Sequence, residues 1–341
     1  MDFALLVPGA LDQLTGGYLY ARQVVEGLRA RGRRIDLFEL PGCFPAADEI
    51  AYQAASAALA SLPDGHVAVI DGLALPAFAG CLARESTRLR LVGFIHHPLS
   101  LETGLSPAEA HHYAALEARL GPMLRGALCP SRHTAQALAT GGLAGSRIAI
   151  APPGIVKPTH PSGPREPLGP LRILNVATLT PRKGHRLLIE ALAGLQDLDW
   201  RLDCIGSLER DPPTTAALRQ QIDTLQLGAR IHLHGEQSVS RLADAYRHAD
   251  LFALPSFHEG YGMVLAEALG HGLPIVATRA GAIPDTVPDS AALLVEPGNA
   301  VALREALRRI LSDTSCRQRL AQGAVADRKS TRLNSSHITI S

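Results

Sequence analysis

At 341 residues, 46% hydrophobic and 19% charged, the chain is long enough for two ordinary domains with substantial cores. Its net charge of +1 argues against a dedicated nucleic-acid binder but leaves room for a local anion site. Five scattered cysteines without a CxxC pair exclude a disulfide framework and a structural zinc site and fit a reducing compartment; no signal peptide is read in MDFALLVPGALDQLTGG, and no stretch is long enough to cross a bilayer.

Short apolar runs alternate with longer helical patterns, the mark of α/β architecture. Strands are predicted at FALLVPG, RRIDLFEL, HVAVIDGL, LRLVGFIH, GALCPS and RIAIAPPG, and helices at YLYARQVVEGLRARG, EIAYQAASAALASL and EAHHYAALEARLGPML. Thr15-Gly16-Gly17 reads as a glycine-rich turn between the first strand and the first helix. At 157–170, five prolines in fourteen residues with no apolar periodicity predict a linker. The pattern then restarts, with strands at LRILNVA, WRLDCIGS, RIHLHG, LFALPS, LPIVAT and ALLVEP and helices near 184–195, 214–226, 238–248, 262–271 and 299–311. The expected organisation is an N-terminal Rossmann-like domain over 1–160, a Pro/Gly-rich linker at 161–170 and a C-terminal domain over 171–327. Functional loops should sit at the strand C-terminal ends, with a central cleft between the two lobes as the site. The polar tail 328–341, RKSTRLNSSHITIS, has no packing logic beside the alanine-rich helix before it. It reads as foreign or out of frame, with a disordered native tail as the alternative, and no function is placed on His337.

Three segments carry chemistry. In HEGYGMVLAEALGHG, two glutamates stand eight residues apart, Glu259 in a loop after a buried strand and Glu267 inside the following helix. Gly260 and Gly262 keep the helix start free of side-chain bulk, where unpaired N–H groups receive a phosphate. Two carboxylates so spaced suit a nucleotide diphosphate sugar lying across the helix start; a solvated loop acid and an ordinary helical one are the alternative. In NVATLTPRKGHRLLIEAL, Arg182 and Lys183 precede a helix, where cations are mildly unfavourable, so a clamp on a diphosphate is attractive beside a solvated charge pair. In FIHHPLSLE, His96 and His97 end a strand; neighbours in a strand face opposite ways, so the two are not a joint metal site, and one is left for a cleft and the other for packing. Gly16 and Gly17 can bring backbone N–H groups to a phosphate or acceptor, and GAIPD at 281–285 can close over a nucleotide. GxxxxGK[ST], HExxH and GxSxG are absent.

Taken together these segments resemble the retaining, nucleotide-sugar-dependent glycosyltransferases of family 4, which have the GT-B architecture of two Rossmann-like domains facing a central cleft. The resemblance covers about residues 1–325, and its most specific stretch is PSFHEGYGMVLAEALGHGLPIVAT. It implies that Glu259 contacts the donor sugar, Glu267 the ribose, Lys183 the diphosphate and His96 the transferred sugar, with Gly16 and Gly17 as the glycine loop. Gly260, Tyr261, Gly262, Met263 and Val264 would form the phosphate-binding helix start. CPSRHTAQAL and IAPPGI match the family's serine-plus-helix segment and interdomain turn. Departures are plain: Ala177-Thr178 stands where the family has Gly-Arg, leaving Arg182 as a displaced substitute, and Pro153-Gly154-Ile155-Val156 lacks the turn's usual carboxylate. Asp285 is a shorter version of an acid that commonly follows the late glycine loop.

The resemblance implies transfer of a hexosyl unit from a UDP- or GDP-sugar to a hydroxyl of a glycan or lipid-linked acceptor, with retention, in polysaccharide assembly. The nucleotide diphosphate sugar is a co-substrate; no permanently bound cofactor, no metal and no nucleic-acid partner are expected. A cytoplasmic location follows, with peripheral contact at the inner membrane face as an option. Arg22, Arg29, Arg31, Arg33 and Arg34 could form a basic face there, or a solvated helix end. A nucleotide-sugar 2-epimerase of the same architecture and a non-catalytic sugar-nucleotide-binding module are the rival readings.

Overall fold

A computed structural model describes residues 2–13, 15–155, 158 and 169–329. The predicted linker lies outside the described residues apart from Gly169 and Pro170, as does the tail beyond Lys329. The chain forms two compact units, one ending at Pro153 and the other starting at Gly154.

The first unit runs β1 (Phe3–Pro8), α1 (Gly16–Ala30), β2 (Ile35–Leu40), α2 (Glu49–Ala60), β3 (Val67–Asp71), α3 (Leu82–Glu85), β4 (Arg90–Phe94), α4 (Pro107–Leu120), β5 (Gly126–Cys129), α5 (Arg132–Thr140) and β6 (Ile148–Ile150). All six predicted strands are present, in one parallel sheet of order β2-β1-β3-β4-β5-β6. Such strands are buried on both faces, which explains why they read as continuous apolar runs. Helix α1 starts at Gly16, so the two glycines are its first residues and not a turn ahead of it. Local chemistry sets other starts: Ser106 and Glu109 form a reciprocal capping box on α4, and Ser131 caps α5 by accepting from the Thr134 N–H.

The second unit runs β7 (Leu171–Val176), α6 (His185–Ala193), β8 (Trp200–Ile205), α7 (Pro212–Thr224), β9 (Ile231–Leu233), α8 (Val239–His248), β10 (Leu251–Leu254), α9 (Met263–Gly270), β11 (Ile275–Thr278), α10 (Ile283–Thr286), β12 (Ala292–Val295), α11 (Ala300–Ser312) and α12 (Thr314–Lys329). Its parallel sheet has the order β12-β11-β10-β7-β8-β9. The core on one face gathers Leu188, Leu192, Trp200, Leu202, Leu303 and Leu307. Trp200, the only tryptophan, is 1% exposed; its indole N–H donates to the Leu195 carbonyl at 2.7 Å, and the Arg230 guanidinium sits 4.1 Å over the ring.

Both sheets reverse direction once. In the first unit the chain winds from β1 to β2 and then returns to the other side of β1 with β3. In the second it winds β7 to β9 and returns beside β7 with β10. At such a reversal the loops leaving adjacent strands turn to opposite faces, opening a crevice at the strand C-terminal ends. Between β7 and β10 the registered pairs are Ile173 with Leu251 and Leu174 with Phe252. One residue on, the Asn175 side chain takes the Ala253 carbonyl at 2.7 Å, bridging the two strands where they near the crevice.

Candidate active site

Lys183 and Glu259 are 76 residues apart in sequence, and the neighbouring positions of β7 and β10 bring their loops together. The β7 loop passes through a single 3-10 turn, Pro181–Lys183, into Gly184 at φ +71°. A Cβ at 184 would stand 2.1 Å from the Pro255 carbonyl oxygen, so glycine is what lets the two backbones meet. The Phe257 N–H then donates to the Arg182 carbonyl at 2.8 Å. Across this junction Lys183 Nζ donates to Glu259 Oε1 at 2.6 Å and Ser256 Oγ donates to the same oxygen at 2.7 Å. The Arg182 guanidinium lies 3.8 Å from Glu259 Oε2 and donates to the His258 carbonyl at 2.8 Å.

Glu259 is only 6% exposed. Burial pushes its carboxyl upward, but the charges of Lys183 and Arg182 and the bonds from Lys183 and Ser256 outweigh this and hold it below the usual carboxylate range. It is therefore an anion at neutral pH, inside a preassembled charge cluster. The backbone is gripped from the far side as well. Gly281, at φ +56°, packs so closely that a Cβ there would lie 2.2 Å from the Glu259 carbonyl oxygen, and the Ala282 N–H donates to that oxygen at 2.8 Å.

Gly260 and Tyr261 lead into Gly262, which at φ +84° takes the N-cap position of α9 without a side-chain cap; Met263 and Val264 are the first helical residues. Thr286 Oγ1 donates to the Tyr261 carbonyl at 2.6 Å, anchoring this approach. Glu267 follows in the second turn. Burial raises its pKa, and the bond it accepts from the Tyr246 hydroxyl at 2.8 Å offsets part of that rise. The structure thus brings Arg182, Lys183 and Glu259 into one cluster and pairs Glu267 with Tyr246 of α8. Beside the cluster, His185 in the first turn of α6 is 2% exposed, and neither ring nitrogen has a hydrogen-bond partner. Burial, with Lys183 nearby, lowers its pKa to about 4, so it is a neutral imidazole.

In the first unit, β3 and β4 run in register with Asp71 opposite Phe94, and His96 follows two residues later. His96 Nε2 lies 3.1 Å from Asp71 Oδ2, while Asp71 Oδ1 accepts the Leu73 N–H at 2.8 Å. A carboxylate only accepts, so Nε2 carries the proton. The imidazole meets Phe94 and Tyr20 edge-on, with centroids 4.4 and 5.8 Å away, and a Cβ on Gly17 would stand 3.3 Å from its Cδ2. Gly17 therefore brings α1 up to the histidine. Gly16 begins the same helix. His97 turns elsewhere and lines a largely apolar cavity of about 540 Å³ with Leu99, Glu117 and Leu138.

Asp71, Ser256, His185 and Tyr246 escaped the sequence reading. Asp71 alone left a signal, a carboxylate ending an apolar strand. Among the described residues no three His, Cys, Asp or Glu side chains gather as a metal site requires, and no helix is long and apolar enough to cross a membrane.

Comparison with known proteins gives these arrangements a family. The glycosyl transferases group 1 family matches residues 156–326. D-inositol 3-phosphate glycosyltransferase of Corynebacterium glutamicum (strain R) is 33% identical over 190 residues, 53% of this chain and 45% of that protein. The MMP alpha-(1->4)-mannosyltransferase of Mycolicibacterium hassiacum is 28% identical over 65% of this chain and 56% of its own length. The match to the first of these spans about half of that relative's length. Among solved structures, sucrose-phosphate synthase from Thermosynechococcus elongatus superposes with a TM-score of 0.78 at 21% identity, over 95% of this chain and 92% of that one. Anabaena HepE, solved in complex with UDP and glucose, gives 0.76 at 19% identity, over 96% and 94%. Identities this low speak for the fold alone, which is the expected GT-B fold of two Rossmann-like domains. The sequence match, covering the whole segment that carries Lys183, Glu259 and Glu267, says more: this chain belongs to the glycosyl transferases group 1 family, the GT-B glycosyltransferases of family 4.

Proposed function

We propose that the chain transfers a hexosyl unit from a UDP- or GDP-sugar to a hydroxyl of a glycan or lipid-linked acceptor, with retention at the anomeric carbon. The observation that carries this reading is the Lys183–Glu259–Ser256 cluster at the strand reversal of the second unit, in a member of this family. The complex of Anabaena HepE with UDP and glucose lends support from the same fold. In the reaction the bond from the anomeric carbon to the β-phosphate oxygen breaks and a bond to the acceptor oxygen forms on the same face. The acceptor's proton passes to the departing phosphate oxygen, and the nucleoside diphosphate leaves.

Charge develops on the diphosphate as that bond breaks, and Lys183 with Arg182 is held in place to meet it. The ion pair with Glu259 fixes the ammonium before substrate arrives, so little reorganisation is left for the reaction itself. The start of α9, from Gly260 through Val264, adds backbone N–H groups toward the phosphates. Glu259 recognises the donor sugar, Glu267 the ribose, and His96, its proton fixed on Nε2 by Asp71, the transferred sugar. Gly16 and Gly17 form the acceptor-side backbone. Contact of the Arg22–Arg34 helix end with an anionic membrane surface is part of this proposal, though Arg29 is already tied to the Ile35 carbonyl at 2.9 Å.

Calorimetry with UDP, GDP and ADP and their sugars tests the donor site. One nucleotide should bind selectively, and Lys183→Ala and Glu267→Gln should each weaken it by about tenfold or more, the scale of a charge-assisted hydrogen bond. Binding of none by the folded chain would remove the donor assignment. Product analysis then separates transfer from epimerisation of the nucleotide sugar.

A further inference from the structure

Tyr246 sits on α8, 21 residues before Glu267, and its side chain is 2% exposed. Its hydroxyl donates to Glu267 Oε2 at 2.8 Å and approaches the Val264 carbonyl at 3.3 Å. Its ring stacks on His271, with centroids 5.0 Å apart and planes 12° from parallel, and on Phe252 of β10 at 5.9 Å and 23°. His271 lies one turn beyond Glu267, so α9 presents both the carboxylate and a flat ring to the same tyrosine. The contact is therefore fixed at the ring and at the hydroxyl.

A buried phenol requires a partner for its single proton, and here that proton is committed to a carboxylate. A glutamate on a helix surface otherwise samples several rotamers, and ordering it has an entropic cost that a ligand would have to meet. Glu267 as a residue is half-buried, and of its two carboxylate oxygens it is Oε2 that the hydroxyl holds. Burial and the Glu267 charge push the ionisation of Tyr246 far upward, so the hydroxyl remains a donor throughout the physiological range.

We infer that Tyr246 is a positioning residue for nucleotide recognition: it pins Glu267 Oε2 so that the remaining acceptor capacity of that carboxylate faces the ribose diol of the donor. This rests on the reading of Glu267 as the ribose contact. The orientation is thus prepared by α8 before the nucleotide arrives, and discrimination between ribose and deoxyribose should depend on a residue that touches neither.

The test uses the full chain and titrates UDP against 2′-deoxy-UDP, and GDP against 2′-deoxy-GDP, by calorimetry. Wild type should prefer the ribonucleotide, and Glu267→Gln should lose that preference. Tyr246→Phe keeps the ring stack and removes only the hydroxyl. It should reduce the preference by about tenfold, with affinity for the deoxynucleotide unchanged. An equal loss for both nucleotides, or an intact preference, would overturn the positioning role. A preference that survives Glu267→Gln would instead remove the ribose reading of Glu267, whatever Tyr246 does. Absence of binding to wild type would remove the donor site and this inference with it. Should Tyr246→Phe fail to fold, Glu267→Asp withdraws the carboxylate from the hydroxyl while keeping its charge. It should show the same loss, and full preference there would refute the proposal.

Discussion

The reversal between β1 and β3 holds a histidine steered by one carboxylate among aromatic rings, whereas the reversal between β7 and β10 holds two cations gathered round a buried carboxylate. The windings differ, with one strand laid down before the reversal beyond β1 and two beyond β7, but both clusters sit on loops at strand C-terminal ends, so their chemical contrast lies in the side chains those loops carry. In the first unit the polar link is one hydrogen bond to a partly exposed imidazole. In the second the charges are mutually dependent, because burial opposes the charge on Glu259 and its partners outweigh that burial. The first cluster is built on a single hydrogen bond between side chains, the second on a buried carboxylate with two cations beside it.

The sharpest way to break this contrast is Lys183→Ala. It leaves the Glu259 carboxylate buried with Arg182 3.8 Å away as its remaining cation, and disrupting a buried pair costs roughly 3–5 kcal/mol. Urea denaturation should show that loss at pH 7. In the native chain the depressed pKa of Glu259 contributes stability above the ordinary carboxylate range that is lost as pH falls through the folded value. In the variant Arg182 and Ser256 remain but the closest cation is gone, so less of this stability is present to lose and the deficit should narrow in acid.

His185 provides the next largest effect. Its folded pKa of about 4 lies below the ordinary 6.5, so on acidification the unfolded chain binds the proton first. Stability should fall as pH drops from about 6.5 to about 4, by about 3 kcal/mol across the window. His185→Leu, which also removes two unpartnered nitrogens, should abolish this component of the pH dependence in the same denaturation experiment. Asp71→Asn should have the smallest effect on stability, about 1 kcal/mol for one net hydrogen bond. An amide presents a donor as readily as an acceptor, so the proton on His96 is no longer dictated. Turnover should therefore fall with little change in donor affinity, which steady-state kinetics would register as a drop in kcat with KM for the donor preserved.

What the sequence disclosed follows from the physics of parallel sheets. Strands buried on both faces announce themselves as apolar runs, and all twelve stand where HVAVIDGL, LFALPS and the others predict. The helix spans are right to within a few residues, with α1 beginning at Gly16 because a glycine is as acceptable in a first turn as before it. Lys183, Glu259 and Glu267 were legible as motif residues, but their partners were not. That Lys183 pairs with Glu259 depends on β10 returning beside β7, a long-range adjacency that local patterns do not encode. Tyr246 reads as an amphipathic-helix aromatic, and only the packing of α8 against β10 and α9 turns it toward a carboxylate. His185 sits in an ordinary-looking RKGHRLL, and its isolation is a property of the fold around it.

Trp200 has a practical consequence. Four of the six tyrosines, Tyr18, Tyr20, Tyr52 and Tyr113, belong to the first unit, while the sole indole is sealed in the core of the second. Emission excited at the red edge of the tryptophan absorption band therefore watches one half of the molecule and is blind to the other, whereas circular dichroism sees both. Melting curves from the two signals would coincide for a single cooperative transition and part company if the halves melt separately, giving an internal label without any chemistry added to the protein.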